Sequence, residues 1–274
     1  MSGGHQHGPD LERETWAPFL TLARARTYGK WRMKILFLGE NRSRLSVACL
    51  ESLLNAGCGE VTVGIGGLTF RAWRRRVARG LCRHGLRGEL ASGARWAKSL
   101  WGALWARLGC GEKQERSLRN VLAEHPAARC FEFQDINAPD SVARLRALAP
   151  DVILVAALTQ ILKPVVISMP PLGCINTHPA LLPRYRGVAP SYWMLKNRER
   201  FAGVSIHYID EGIDTGDIIT QESFEIEAHD DERSLVARSA AMAARLMVET
   251  VRRLAAGESL PRRPQDHLQA TYST

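Results

Sequence analysis

Two short segments offer an amide, an imidazole and a carboxylate. The first runs Ile175-Asn176-Thr177-His178-Pro179 and continues through Pro183-Arg184-Tyr185-Arg186-Gly187. The second is Asp210-Glu211-Gly212-Ile213-Asp214-Thr215-Gly216-Asp217. These groups suit transfer of an acyl carbon to an amine. Such a reaction passes through a tetrahedral carbon bearing an oxyanion. It needs donors to that oxygen, a proton acceptor for the attacking nitrogen and a proton source for the leaving one. Asn176 supplies a neutral N–H donor. His178, two residues on, points to the same side of an extended segment and can donate as imidazolium. Asp214 can orient and charge that imidazole, or relay the amine proton through a water. Pro179 and Pro183 stiffen the loop between them. Each feature alone has a plainer reading: Asn-x-His can cap a turn, and Asp-Glu-Gly is ordinary turn chemistry. The combination is the signal. Cys174 lies nearby but reads as packing on a buried strand, and no covalent nucleophile is needed.

Strands alternating with helices must position these groups. Met33 to Gly39 reads as a buried parallel strand ending in a glycine turn. Ser43 to Asn55 has helical spacing at Leu45, Ala48, Cys49 and Leu53, with Ser43 as N-cap. A strand follows at Glu60 to Ile65, then a helix at Leu118 to Glu124, a strand at Cys130 to Phe133 and a helix at Ser141 to Leu148. Asp151 to Ala156 and Cys174 to Thr177 are further buried strands. Val204 to Ile209 and Ile218 to Glu225 flank the acidic turn. Asp230 to Ala256 is a long amphipathic helix, capped by Asp230 and stopped by Gly257. The order predicts a Rossmann-like α/β fold, a doubly wound and mostly parallel sheet with helices on both faces. In such sheets ligands sit beyond the carboxyl ends of the strands. Residues 1–32 read as a disordered leader, with Met33 a candidate start. The catalytic domain spans 33–258, and 259–274 is a polar, irregular tail.

Composition narrows the class. A chain of 274 residues that is 45% hydrophobic can bury one substantial core. It has no apolar run long enough to span a membrane and no secretory signal. Six scattered cysteines without a C-x-x-C pair indicate free thiols, a cytoplasmic protein and no metal site. The formal charge is +9, and its excess falls between Arg71 and Arg119, where thirteen Lys or Arg face three Glu. Four of the seven tryptophans lie in this basic insertion, residues 70–119. Within it, Ala97, Leu100, Trp101, Leu104, Trp105 and Leu108 recur at helical spacing among Arg95, Lys98 and Arg107. Peripheral membrane contact through 95–108, a nucleic-acid backbone, and a lid or homodimer contact are the competing readings.

The motifs Asn176-x-His178-Pro179-x-Leu181-Leu182-Pro183, Gly203-Val204-x-Ile206-His207 and Asp210-Glu211-Gly212-Ile213-Asp214-Thr215-Gly216 resemble those of the folate-dependent formyltransferases. That family includes enzymes acting on glycinamide ribonucleotide, methionyl-tRNA and amino sugars. The resemblance is specific between about Asp151 and Gln221. It implies catalytic roles for Asn176, His178 and Asp214, with 10-formyltetrahydrofolate as formyl donor. It also implies a pterin slot formed by Gln160, Ile161 and Leu162 and by the backbone of Glu211, Gly212, Ile213 and Asp214.

The acceptor expected is a small-molecule primary amine, favoured as an amino sugar linked to a nucleotide or lipid. Arg184 and Arg186 are candidates to hold a pyrophosphate, and Trp193 to stack on a sugar or base or to fill core. The loop Gly39-Glu40-Asn41-Arg42-Ser43-Arg44 departs from the small phosphate-gripping loop of the glycinamide ribonucleotide enzymes. The tRNA enzymes carry a C-terminal β-barrel for which the short tail leaves no room. Methionyl-tRNA and glycinamide ribonucleotide remain the alternative acceptors. A formyltetrahydrofolate hydrolase or a non-catalytic folate-binding relative is the rival from another class.

Overall fold

The computed structural model describes residues 33–67 and 116–273. The leader with His5 and His7, and the amphipathic stretch 95–108, lie outside the described residues. The elements in chain order are β1 (Lys34–Glu40), α1 (Arg44–Ala56), β2 (Glu60–Gly66), α2 (Leu118–Glu124), β3 (Arg129–Phe133), α3 (Pro139–Leu148), β4 (Val152–Ala156) and α4 (Pro164–Ile167). There follow β5 (Cys174–His178), β6 (Arg186–Gly187), α5 (Pro190–Lys196), β7 (Phe201–Tyr208), β8 (Ile218–Glu225), α6 (Glu232–Ala255), a short 3-10 turn and β9 (Tyr272–Ser273).

Seven strands form one sheet in the order β3-β2-β1-β4-β5-β7-β8. The first five are parallel, while β7 runs antiparallel to both β5 and β8. Central strands read as unbroken apolar runs because both faces are covered. Their side chains alternate between the two sides. Ile35 and Phe37 of β1, with Val152 and Leu154 of β4, join the core beneath α1 and α6. Leu36 and Leu38, with Ile153 and Val155, join the core on the face of α3 and α4. The expected α/β architecture is what the chain adopts. No helix among the described residues is long and apolar enough to cross a membrane.

Local chemistry accounts for the element ends. Ser43 caps α1 by accepting from Ser46 N. Ser46 is itself buried, and its hydroxyl donates to Ala156 O at 2.7 Å, tying the start of α1 to the end of β4. The long helix α6 is capped by Asp231, not Asp230 as its sequence suggests. Asp230 stands one residue too early and instead accepts from Ser234 Oγ and Arg238. The expectation of an irregular tail is also corrected. Beyond Leu260 the chain returns to the sheet, bridges Arg263 to Ile218, and lays β9 parallel to β6.

Leu50 sits on the inward face of α1 with no exposed surface. Leu50→Ala is expected to cost about 2–5 kcal/mol of unfolding free energy, read from urea midpoints against the wild type.

Candidate active site

Cys174, Asn176 and His178 share one face of β5, since Ile175 points to the opposite core. His178 ends the strand, near its carboxyl end as expected. The acidic turn reaches it by another route. Because β7 is antiparallel, Tyr208 pairs with Ile175, and the chain leaves β7 near the amino end of β5. The segment 209–217 then folds back over the sheet face. Its tight path explains Gly216, where an added Cβ would lie 2.0 Å from Tyr208 O. Asp210 braces the turn by accepting from Gly212 N and Thr215 Oγ1. Asp214 takes a left-handed backbone, φ 53°, at the crest of the turn.

There Asp214 meets three partners. Its Oδ2 accepts from Gly187 N at 2.8 Å and lies 3.5 Å from His178 Nδ1. Its Oδ1 accepts from Asn176 Nδ2 at 3.2 Å. A fourth group, His207, was quoted in the sequence motif without a role. It stands directly opposite Asn176 in the β5–β7 register. Its Nε2 lies 3.1 Å from Asn176 Nδ2 and 3.6 Å from Asp214 Oδ1. Nothing local in the sequence marks it, because its neighbours are set by strand pairing.

Carbonyl oxygens can only accept, and this assigns the imidazole protons. His178 Nε2 lies 2.8 Å from Tyr185 O and so carries a proton, leaving the Nδ1 lone pair turned toward Asp214. His207 Nδ1 likewise donates to Tyr208 O, and its Nε2 accepts from Asn176. Both amide hydrogens of Asn176 are thus engaged. To serve an incoming oxyanion it must release one of them.

Burial pushes the His178 imidazole below its ordinary 6.5; Asp214 opposes that shift and His207 adds to it. Burial works to raise the Asp214 carboxyl, but the two histidines and the Gly187 N–H outweigh it and hold the group well below the usual carboxylate range. The two shifts pull against each other, since a proton on His178 is part of what favours the Asp214 anion. The Asp214 direction is the firmer, because the Gly187 and Asn176 amides donate to it whatever charge His178 carries. The pair therefore rests as a carboxylate beside a neutral imidazole that can accept a proton at Nδ1. The imidazolium expected from sequence as a donor would then form only after Nδ1 has taken a proton. Burial raises the Cys174 thiol to about 12, which leaves it inert as a nucleophile.

The other expected contacts divide. Ile161 and Ile213 are 60% and 49% exposed, open apolar surface beside the β4 end and Asp214. Glu211 and Gly212 are exposed on the same turn. Gln160 spends its amide on Ile136 N and Gln134 O, holding the loop after β3. Leu162 is buried in the core on the α3 face, so it is its backbone that could line a slot. Arg186 is corrected. It is 1% exposed, and its guanidinium turns inward to Gln265, Tyr272 and His267, enclosed away from a pyrophosphate at the surface. Arg184 stays at the surface but pairs with Glu199. Trp193 packs on the apolar cluster of Tyr185, Met194 and Leu235, its core reading, with Lys196 over its ring.

A family model described as formyl transferase matches residues 106–251. The methionyl-tRNA formyltransferase of Citrifermentans bemidjiense is 40% identical over 148 residues, 54% of this chain and 46% of that protein. That of a Synechococcus strain is 47% identical over 135 residues, 49% and 42% of the two chains. The chain spans about half the length of the curated relatives it matches. Among solved structures, glycinamide ribonucleotide transformylase 1 from Symbiobacterium toebii superposes with a TM-score of 0.57 at 18% identity, covering 85% of this chain and 95% of that one. The N-formyltransferase from Helicobacter canadensis, in complex with folinic acid and dTDP-3-aminofucose, gives 0.56 at 19% identity, covering 88% and 70%. These structural likenesses concern the fold.

The low His178 value has a consequence for stability. Below about pH 6.5 the unfolded chain binds a proton there that the folded chain resists, so stability falls as pH drops through that range. His178→Gln is expected to flatten this loss between about pH 7 and 5.5, by at most about 1.4 kcal/mol per pH unit. Urea titrations at both pH values check it.

Proposed function

The chain belongs to the formyl transferase family, and from that premise we propose that it moves a formyl group from 10-formyltetrahydrofolate to a primary amine. The observation that carries this reading is the convergence of Asn176, His178 and Asp214 on one face of β5, with the carboxylate ionised and the imidazole neutral. Exposed Ile161 and Ile213 suit one flat face of a pterin, with the backbone of 211–213 beside them. The folate supplies a formyl carbon already activated by its nitrogen; the rest is the work of these side chains.

Asn176 turns one amide hydrogen from His207 or Asp214 to the formyl oxygen as negative charge develops there. The incoming amine loses its proton to His178 Nδ1. Asp214, 3.5 Å away, stabilises the imidazolium that results. That proton then passes to the departing folate nitrogen. One C–N bond forms and one breaks, and the base returns to its resting state. His207 keeps the Asn176 amide aligned between turns of the cycle.

One acceptor has specific support. Methionyl-tRNA is favoured by the 40–47% identity to methionyl-tRNA formyltransferases over about half of this chain. An amino sugar is the second reading. It rested on Arg184, Arg186 and Trp193, and the burial of Arg186 and the packing of Trp193 weaken it.

His178→Ala and Asp214→Asn should each lower tetrahydrofolate release by about a hundredfold or more. Near-normal turnover in either variant removes the mechanism. The acid limb of kcat/KM should fall below pH 6.5, because protonating His178 removes the base. A panel of methionyl-tRNA, nucleotide-linked amino sugars and glycinamide ribonucleotide tests the acceptor. Release without any acceptor would mean a hydrolase.

A further inference from the structure

The segment Tyr185–Val188 holds both ends of the His178–Asp214 pair. Tyr185 O accepts from His178 Nε2, and Gly187 N donates to Asp214 Oδ2. This segment is in turn fastened to the tail. Tyr185 N donates to Thr271 Oγ1, Arg186 N to Thr271 O, and Val188 N to Ser273 O. Ser273 Oγ returns a hydrogen bond to Arg186 O at 2.9 Å. The approach is close enough that a Cβ on Gly187 would lie 2.7 Å from Ser273 O, and Gly187 has φ +98°.

Gln265 reaches the other side of the pair. It is 6% exposed, and its Nε2 donates to Asp214 O at 2.9 Å and to Gly216 O at 2.7 Å. Its Oε1 accepts both Nε and Nη2 of Arg186. Every polar valence of the Gln265 amide is therefore spent on the acidic turn or on Arg186. Arg186 is almost wholly enclosed, and its guanidinium contacts Gln265, the Tyr272 hydroxyl and His267 Nδ1. Enclosing a guanidinium is costly unless its donors are satisfied, so Arg186 and Gln265 form a unit that loosens together.

We propose that Gln265, backed by Arg186, is a positioning residue for Asp214, and that the tail from Gln265 to Ser273 is a working part of the catalytic site. Gln265 pins the backbone at Asp214, where φ is 53°, while β9 pins Gly187, whose N–H aims the carboxylate. Without the clamp the turn 209–217 keeps its own Asp210 bonds but loses its distance from His178. The kinetic part of this proposal rests on the formyl transfer proposed above; the geometric part does not.

Two variants separate the clamp from general stability. Gln265→Met removes both the donors and the acceptor at similar volume. Gln265→Glu keeps an acceptor for Arg186, and so the docked tail, but loses the donors to Asp214 O and Gly216 O. Leu50→Ala serves as a destabilised variant remote from the site. The readouts are hydrogen exchange at the Gly187 amide and acceptor-dependent release of tetrahydrofolate. Both Gln265 variants should exchange Gly187 at least tenfold faster and lose at least tenfold in kcat, with KM for the folate changed less than threefold. Leu50→Ala should change neither relative to its lowered global stability. Unchanged Gly187 exchange and kcat in a folded Gln265→Glu protein would overturn the proposal, even if Gln265→Met fails to fold. If wild type transfers no formyl group to any acceptor, the functional reading fails, and the exchange comparison still decides the clamp.

Discussion

Asp214 is a carboxylate taken largely out of water, and such a group stays charged only where donors replace its hydration. Here the donors come from distant parts of the chain: the Gly187 amide on Oδ2 and the Asn176 side chain on Oδ1. Everything else at the site is arranged around that anion. It favours a proton on His178 Nδ1 against burial, and it occupies one Asn176 hydrogen.

The sheet provides this arrangement by changing direction once. Parallel strands from β3 through β5 bring buried apolar runs together and leave His178 at a strand end. Antiparallel β7 places His207 opposite Asn176 and starts the acidic turn at the far edge, so that the turn must cross the face to reach its partners. A sixth parallel strand in that place would have put the turn at the same edge as His178 and required a crossover helix instead. The local reversal converts a sheet edge into a covered face. The desolvation that tunes His178 follows from that cover.

What could be read from the residues was whatever depends on local periodicity and on groups close in sequence. The buried runs of β1 and β4, the helical spacing of α1 and the strand after the acidic turn fell within a residue or two of their observed ends, while the strand before it begins three residues earlier than read, at Phe201. Asn176 and His178 could be paired because two residues on a strand share a face. Asp214 was found through a motif. His207 was not assigned a role, because its contact with Asn176 depends on a strand register that no local pattern encodes. Arg186 was misplaced for a related reason: a basic residue in a loop reads as solvated or ligand-facing, and its enclosure is created by residues 79 and 86 positions away. Gln265 sat in a polar tail with no periodic signal at all. The same limit applied to Trp193 and Leu162, whose surroundings come from other elements.

The pairing of β6 with β9 carries a consequence for how the site comes into being. Arg186 and Tyr272 are 86 residues apart, so the contact closes a loop larger than that of any neighbouring strand pair in the main sheet's second half. Loop-closure entropy makes such a contact later than those local pairs, though not later than β1 with β4, whose Ile35–Val152 pairing closes a longer loop. The sheet, with β5, β7 and β8, can be assembled while Gly187 and Asp214 still lack their final tether. The spacing of His178 and Asp214 therefore depends on a contact that closes after its neighbours in the second half of the sheet.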